Sequence, residues 1–170
     1  FKYKDMPNAQ MPIDPKTKEN WYNTQEWQAL RLSSKSFWDV PVVVNNKTVH
    51  VLASHPTPPV FDGDEDRNGK RNHDEVRLIA DYVANKAYIY DDNGQKGGLK
   101  ASSRFVILGD LNAAPEGDKA RVETTNQILN NPEASGQQIG KYTPRSGFGN
   151  RCKVEFISKS QLLRARGFKV

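Results

Sequence analysis

Apolar positions along this chain change their spacing several times, and each change marks an element. The first 20 residues, rich in Pro, Lys, Asp and Asn, hold no sustained period and read as irregular surface chain. Asn23-x-x-Glu26 is a capping box, in which side chains and backbone donors satisfy each other. It predicts a short helix through Trp27 and Leu30. From Phe37 the pattern becomes strand-like. Asp39–Val44 and Thr48–His55, separated by Asn45-Asn46, predict a β-hairpin with a tight Asn-containing turn. Pro41 suits the first residues of its strand or a bulge. Residues 56–72 read as a long loop, because Pro56, Pro58 and Pro59 forbid a helix at its start.

A helix is expected from about His73 to Tyr90, opened by the capping box Asn72-x-x-Glu75. Val76, Ile79, Ala80, Val83, Ala87 and Tyr90 recur there at three- and four-residue steps, which makes one core-facing stripe. After a loop over Asp91–Ser103, the aromatic and β-branched run Phe105–Leu108 predicts a strand buried on both faces. A helix over Ala120–Leu129 then ends before Asn131-Pro132. Residues 133–150 read as loop, and Arg151–Ser158 as a further strand. Strand, crossover helix, strand is the rhythm of an α/β sandwich. No repeat or linker divides the chain, so residues 1–170 read as a single domain or part of one.

Composition narrows this picture only a little. The chain is 36% hydrophobic, with a mean hydropathy of −0.78 and no run long enough for a membrane span. Net charge is +5 with 20 acidic residues, a mild basicity that permits a phosphate-bearing partner without demanding one. The one cysteine, Cys152, makes no intrachain disulfide, and its alternation with Val154 reads as a small buried hydrophobe. The sequence opens at Phe1 with no methionine and no signal peptide, as expected of a processed product, a cloned piece or a chain lacking its start.

Candidate chemistry gathers at Phe105–Pro115. Gly109 lets the backbone pass close neighbours, and Asp110 and Asn112 follow at the carboxyl end of a strand, where open α/β sheets hold ligands. Extended geometry through Leu111 puts both on one face. A carboxylate beside an amide suits a metal-bound water and a phosphate oxygen, although Asp and Asn also fill ordinary turns. His55 closes the second hairpin strand and shares a face with Val49, Val51 and Ala53. A histidine beside prolines also has an ordinary structural reading.

Two further signals come from the polar stretches. Asp64, Asp66, Asn68 and Glu75 fit the calcium-loop pattern D-x-D-x-N-G-x₅-E, with Ca²⁺ as the ion. Against it stand the lack of an entering helix, Arg71 where an aliphatic residue is usual, and the competing capping role of Glu75; the rival reading is a solvated acidic loop. Arg71 and Asn72, with His73, fall at the expected helix N-terminus, where anions are favoured. Arg145 and Arg151 are further phosphate contacts or solvated residues.

Gly109-Asp110-Leu111-Asn112-Ala113-x-Pro115 resembles the signature of the endonuclease/exonuclease/phosphatase superfamily, which includes pancreatic-type deoxyribonucleases, abasic-site endonucleases, sphingomyelinases and inositol-phosphate phosphatases. His55 through Gly63, joined to Arg71 through Arg77, resembles an exported bacterial branch of it. The resemblance implies a two-sheet α/β sandwich and phosphoester hydrolysis with Mg²⁺ or Mn²⁺. In that reading Asp110 orients or deprotonates the attacking water, while Asn112 and His55 hold phosphoryl oxygens. It also implies a secreted or periplasmic protein acting on nucleic acid or a small phosphodiester. Glu155 stands where the family carries an aspartate that orients a catalytic histidine; its extra methylene displaces the carboxylate by more than ~1 Å.

The family's early Asn-x-Glu strand and its late Ser-Asp-His are not found here. Residues 30–170 therefore resemble the middle of the domain, and the expectation is an impaired enzyme or a catalytically inactive module binding a phosphate ligand or a protein. A missing sheet would leave apolar surface to be covered by a partner segment or an oligomer.

Overall fold

The computed structural model describes residues 1–113, 123–124, 126–128, 130, 134–135 and 156–158. Its elements are a 3₁₀ turn at Tyr3–Asp5, α1 Thr24–Ala29, β1 Phe37–Val44, β2 Lys47–Ser54, α2 Arg67–Val83, β3 Arg104–Leu108, β4 Ala134–Ser135 and β5 Phe156–Ser158. One mixed sheet runs in the order β1-β2-β3-β5-β4. β1 and β2 are antiparallel, β2 and β3 parallel, and β5 antiparallel to β3. The chain is thus mixed α/β with a single sheet among the described residues, and α2 makes the crossover between the parallel strands.

Local chemistry explains the hairpin and the first helix. Asn45 and Asn46 both take positive φ, 50° and 59°, which a two-residue turn needs to match the strand twist. Asn23 accepts from the Glu26 N–H at 2.9 Å while Glu26 accepts from the Asn23 N–H at 2.9 Å, so the capping box forms as read. Pro41 neither opens its strand nor sits in a bulge: it pairs with His50 in mid-strand. β1 is the sheet edge, and an edge tolerates a missing N–H.

The sheet buries one face. Leu52, Phe105 and Ile107 pack against Val76, Ile79, Ala80 and Val83 of α2, with Leu99, Leu111 and Ile128 completing the cluster. Asp39 points to the same side and is satisfied by the Tyr82 hydroxyl (2.7 Å) and His50 Nδ1 (2.8 Å). Val106 and Leu108, on the other face, are only half-buried, so β3 is not covered on both sides as its apolar run suggested. That face continues through Ala53, Val51 and Val49 to Trp38, Val40, Val42 and Val44 of β1; the last four are 41–61% exposed.

Several elements depart from the sequence reading. α2 starts at Arg67, six residues before the expected His73, and stops at Val83. Its early turn is polar and gives no stripe, but Asp62 accepts the Asn68 N–H at 2.6 Å and satisfies a first-turn donor. It ends because Asn85 turns left-handed (φ 53°). Lys86 then donates to Asp81 O and Asn85 to Tyr82 O, the paired bonds of a Schellman stop. Ala87 and Tyr90 lie past that stop.

The first residues are not surface chain throughout. Tyr3 and Met6 are buried with Leu32, Leu78 and Ile89, because the Tyr3 N–H and the Phe1 carbonyl pair with residues 30 and 32. Positions 134–135 pair as a strand where loop was expected. Of Ala120–Leu129, the described residues 123–124 and 126–128 are helical. Of Arg151–Ser158, only 156–158 are described, and they are strand. Among the described residues no helix is long and apolar enough to cross a membrane.

Candidate functional site

The parallel pairing of β2 and β3 brings the two main candidate stretches together. Ala53 pairs with Leu108, so His55 and Asp110 each follow that rung by two residues, past the carboxyl ends of adjacent strands. Gly109 makes this possible. Its φ is 135°, and a Cβ there would lie 1.9 Å from the Ser54 carbonyl oxygen. Asn112 Nδ2 donates to the Pro56 carbonyl at 3.0 Å, tying the loop after β3 to the residue that follows His55. His55 itself is exposed; Asp110 and Asn112 are partly buried.

Asp110 and Asn112 are neighbours for a different reason than strand alternation. β3 ends at Leu108, and Asn112 is left-handed with φ 49°. The Asp110 carboxylate accepts the Asn112 N–H at 3.0 Å, folding the loop back on itself as Asp side chains do in turns. The extended geometry expected through Leu111 is therefore replaced by a side-chain-closed turn.

The residues expected at a helix N-terminus lie inside α2 and have structural partners. Arg71 donates through Nε to Leu32 O (2.9 Å) and through Nη2 to Arg31 O (2.7 Å), so its guanidinium serves the main chain of residues 31–32. Asn72 is 2% exposed, and its Nδ2 donates to Thr57 O (2.8 Å) and Leu111 O (2.9 Å). Neither sits at an anion-accepting helix end, and the Asn72-x-x-Glu75 capping box does not form.

The stretch expected as a calcium loop is interrupted by the same helix. A calcium hand needs its middle positions as loop, whereas Asn68 and Gly69 already lie on α2 and Asp66 is its left-handed N-cap. Glu75 is buried and accepts the Ser34 N–H (2.6 Å) and the Thr57 N–H (2.5 Å). Asn68 Nδ2 donates to Val60 O. Asp64 remains an exposed loop residue. Partial desolvation first, and the charge of Asp62 second, push the Asp66 carboxyl above its usual range. Arg145, Arg151, Cys152 and Glu155 lie outside the described residues.

Among the described residues no group of three or more His, Cys, Asp or Glu side chains could hold a metal ion. The site offers one carboxylate, Asp110, with the amide of Asn112 beside it. Oxygen donors of this kind suit a hard cation, and Mg²⁺ takes as few as one or two carboxylates when waters and substrate phosphate complete its shell. What the sequence did not disclose was the supporting role of Asn72 and Glu75. The signal was present: both stand one helical turn before stripe residues, Val76 and Ile79, and a polar side chain on a buried stripe needs fixed partners.

Fold and site together define a mixed α/β protein whose polar candidates gather past the carboxyl ends of two adjacent parallel strands. Among solved structures the chain is similar to beta toxin from Staphylococcus aureus. A β-hairpin deletion mutant of that toxin matches 75% of this chain at 19% identity and a TM-score of 0.46. A double mutant of the toxin with bound magnesium ions matches 75% at 19% identity and a TM-score of 0.47. The chain spans 45% and 43% of those two chains, less than half their length. No family model matches the sequence, and no curated protein does.

Proposed function

We propose that this chain is part of a divalent-metal-dependent phosphoesterase of the endonuclease/exonuclease/phosphatase type. The observation that supports it most is the Asn112–Pro56 hydrogen bond across adjacent parallel strands, which holds the Asp110-Asn112 turn beside the His55 loop. In this reading one Asp110 oxygen closes the turn, and the other accepts a proton from, or orients, the attacking water. His55, exposed at the rim, donates to a phosphoryl oxygen. Asn112 fixes the loop through its amide nitrogen, which leaves its amide oxygen as the atom that would meet the ion.

Asp110 and Asn112 are the residues that would hold Mg²⁺ or Mn²⁺. The ion supplies stabilisation of phosphate charge and a lowered pKa for water. The apolar sheet face running from Trp38 to Leu108 supports the finer architecture: in a two-sheet sandwich it is the face that a second sheet covers. The substrate class is a phosphate ester, nucleic acid or a smaller phosphodiester, and the setting is secreted or periplasmic.

The test is hydrolysis of bis-p-nitrophenyl phosphate with Mg²⁺ and with Mn²⁺ by this chain and by Asp110→Ala, each checked for an intact melting transition. Metal-dependent turnover that falls on the order of 10²–10⁴-fold in the variant supports the reading. Identical background in both rejects an enzyme and leaves a module that binds a phosphate ligand or a protein.

A further inference from the structure

The loops that carry His55 and Asp110 have no strand pairing beyond Ala53 and Leu108, yet one buried side chain reaches both. Asn72 lies in the second turn of α2, 2% exposed, beneath the two loops. Its amide nitrogen has two hydrogens. One goes to the Thr57 carbonyl at 2.8 Å, two residues past His55; the other goes to the Leu111 carbonyl at 2.9 Å, between Asp110 and Asn112.

Among the described residues no other side chain on α2 makes that bridge. Glu75, one turn further along α2, holds the Thr57 N–H but reaches toward Ser34 with its other oxygen, so it anchors only the first loop. Asn112 joins the loops directly to each other at the outer end. Through these three side chains the loops are fixed both to each other and to the rigid helix.

We propose that Asn72 is the positioning residue of the candidate site: its amide sets the separation of the His55 arm from the Asp110-Asn112 arm. An amide is suited to this because it presents two N–H donors about 120° apart on a short, stiff stem. Aspartate has the same shape but no donors, and would set an acceptor against two carbonyls. Serine has one donor and can serve only one loop at a time. The chemical consequence rests on the phosphoesterase reading; the mechanical one does not.

Native-state amide exchange tests the mechanical claim without any activity. The Thr57 and Asn112 amides report the two loops, and the Val51 and Val106 amides report β2 and β3. In Asn72→Ala, both loop amides are expected to exchange about tenfold faster or more while the strand amides keep their protection. Asn72→Ser is expected to release them less. Acceleration of one loop only, of neither, or of loops and strands alike overturns the proposal, as does failure of both variants to fold.

The chemical arm uses bis-p-nitrophenyl phosphate with Mg²⁺. In Asn72→Ala, kcat is expected to fall on the order of 10–100-fold, with KM within about twofold. An unchanged kcat despite loosened loops overturns the claim that this separation matters to the reaction. Wild-type chain without metal-dependent turnover rejects the phosphoesterase reading and leaves the exchange result to stand or fall by itself.

Discussion

At the scale of single residues, two positions have consequences that follow from geometry alone. Gly109 combines a φ of 135° with the Ser54 carbonyl where a Cβ would go. The last β2–β3 pair, Ala53–Leu108, lies one residue before the crossing, and Ser54 is also paired with Phe37, so the Ser54 carbonyl has little room to move. Gly109→Ala is therefore expected to cost roughly 2–4 kcal/mol, read from urea denaturation, and a cost below about 1 kcal/mol would show that the loops are not locked at this crossing. Asp66 carries the opposite lesson. The residue is exposed, yet partial desolvation of its carboxyl and the charge of Asp62 raise the pKa above the usual range, an effect that solvent keeps small. An acid raised in the folded state contributes stability only while protonated, fully below its unfolded pKa, and loses that contribution as pH rises through the folded value. Asp66→Asn keeps a residue that accepts the left-handed φ of 51°. It should raise the melting temperature at pH 7 and leave it unchanged near pH 3; an equal gain at both would remove the charge explanation.

At the scale of elements, termini decide more than interiors do. α2 ends in a Schellman stop with Asn85 left-handed, a place where glycine is ordinarily preferred. Here the Asn85 side chain also accepts the Gly98 N–H at 2.8 Å, holding the chain that returns toward β3. Glycine would relieve a few tenths of a kcal/mol of backbone cost, whereas losing the hydrogen bond costs about 1 kcal/mol. Asn85→Gly is expected to lower stability by about 0.5 kcal/mol, and a thermal-melt gain would mean that the Gly98 bond contributes nothing. The start of the same helix shows how far apolar periodicity carries. The stripe marks Val76 to Val83 correctly, but the polar turns before it are helical because of Asp62, and no stripe reports that.

At the scale of the molecule, the described residues cover one face of the sheet more fully than the other. Trp38, Val40, Val42 and Val44 stand exposed on the face away from α2, at the edge strand, and Val49, Val51 and Ala53 of β2 connect them to the half-buried Val106 and Leu108. A contiguous apolar face of this kind associates or binds hydrophobic dyes. Val42→Lys with Val44→Lys is expected to reduce dye binding and self-association in sedimentation velocity. Stability should move by less than about 0.5 kcal/mol per site, because neither side chain packs in the core. A large loss of stability with unchanged association would show these valines to be covered within the chain.

Much of the local structure was legible in the letters. Asn45-Asn46 dictates a tight turn, Asn23 with Glu26 dictates a helix start, and the apolar run at Phe105 with Gly109 marks a strand and a close crossing. Each of these rests on contacts within a few residues, or on a backbone conformation that one residue type favours. The roles of Asn72 and Glu75 were not legible in this way. Both read as a capping pair, yet Glu75 meets Ser34 and Thr57 while Asn72 meets Thr57 and Leu111, partners that only the packed sheet brings near. The N-terminal residues behave likewise, buried by pairing with residues 30–32 rather than by any pattern of their own. A buried polar group takes whatever partner folding places beside it, so sequence can say that such a group needs partners, and only the tertiary structure decides which ones.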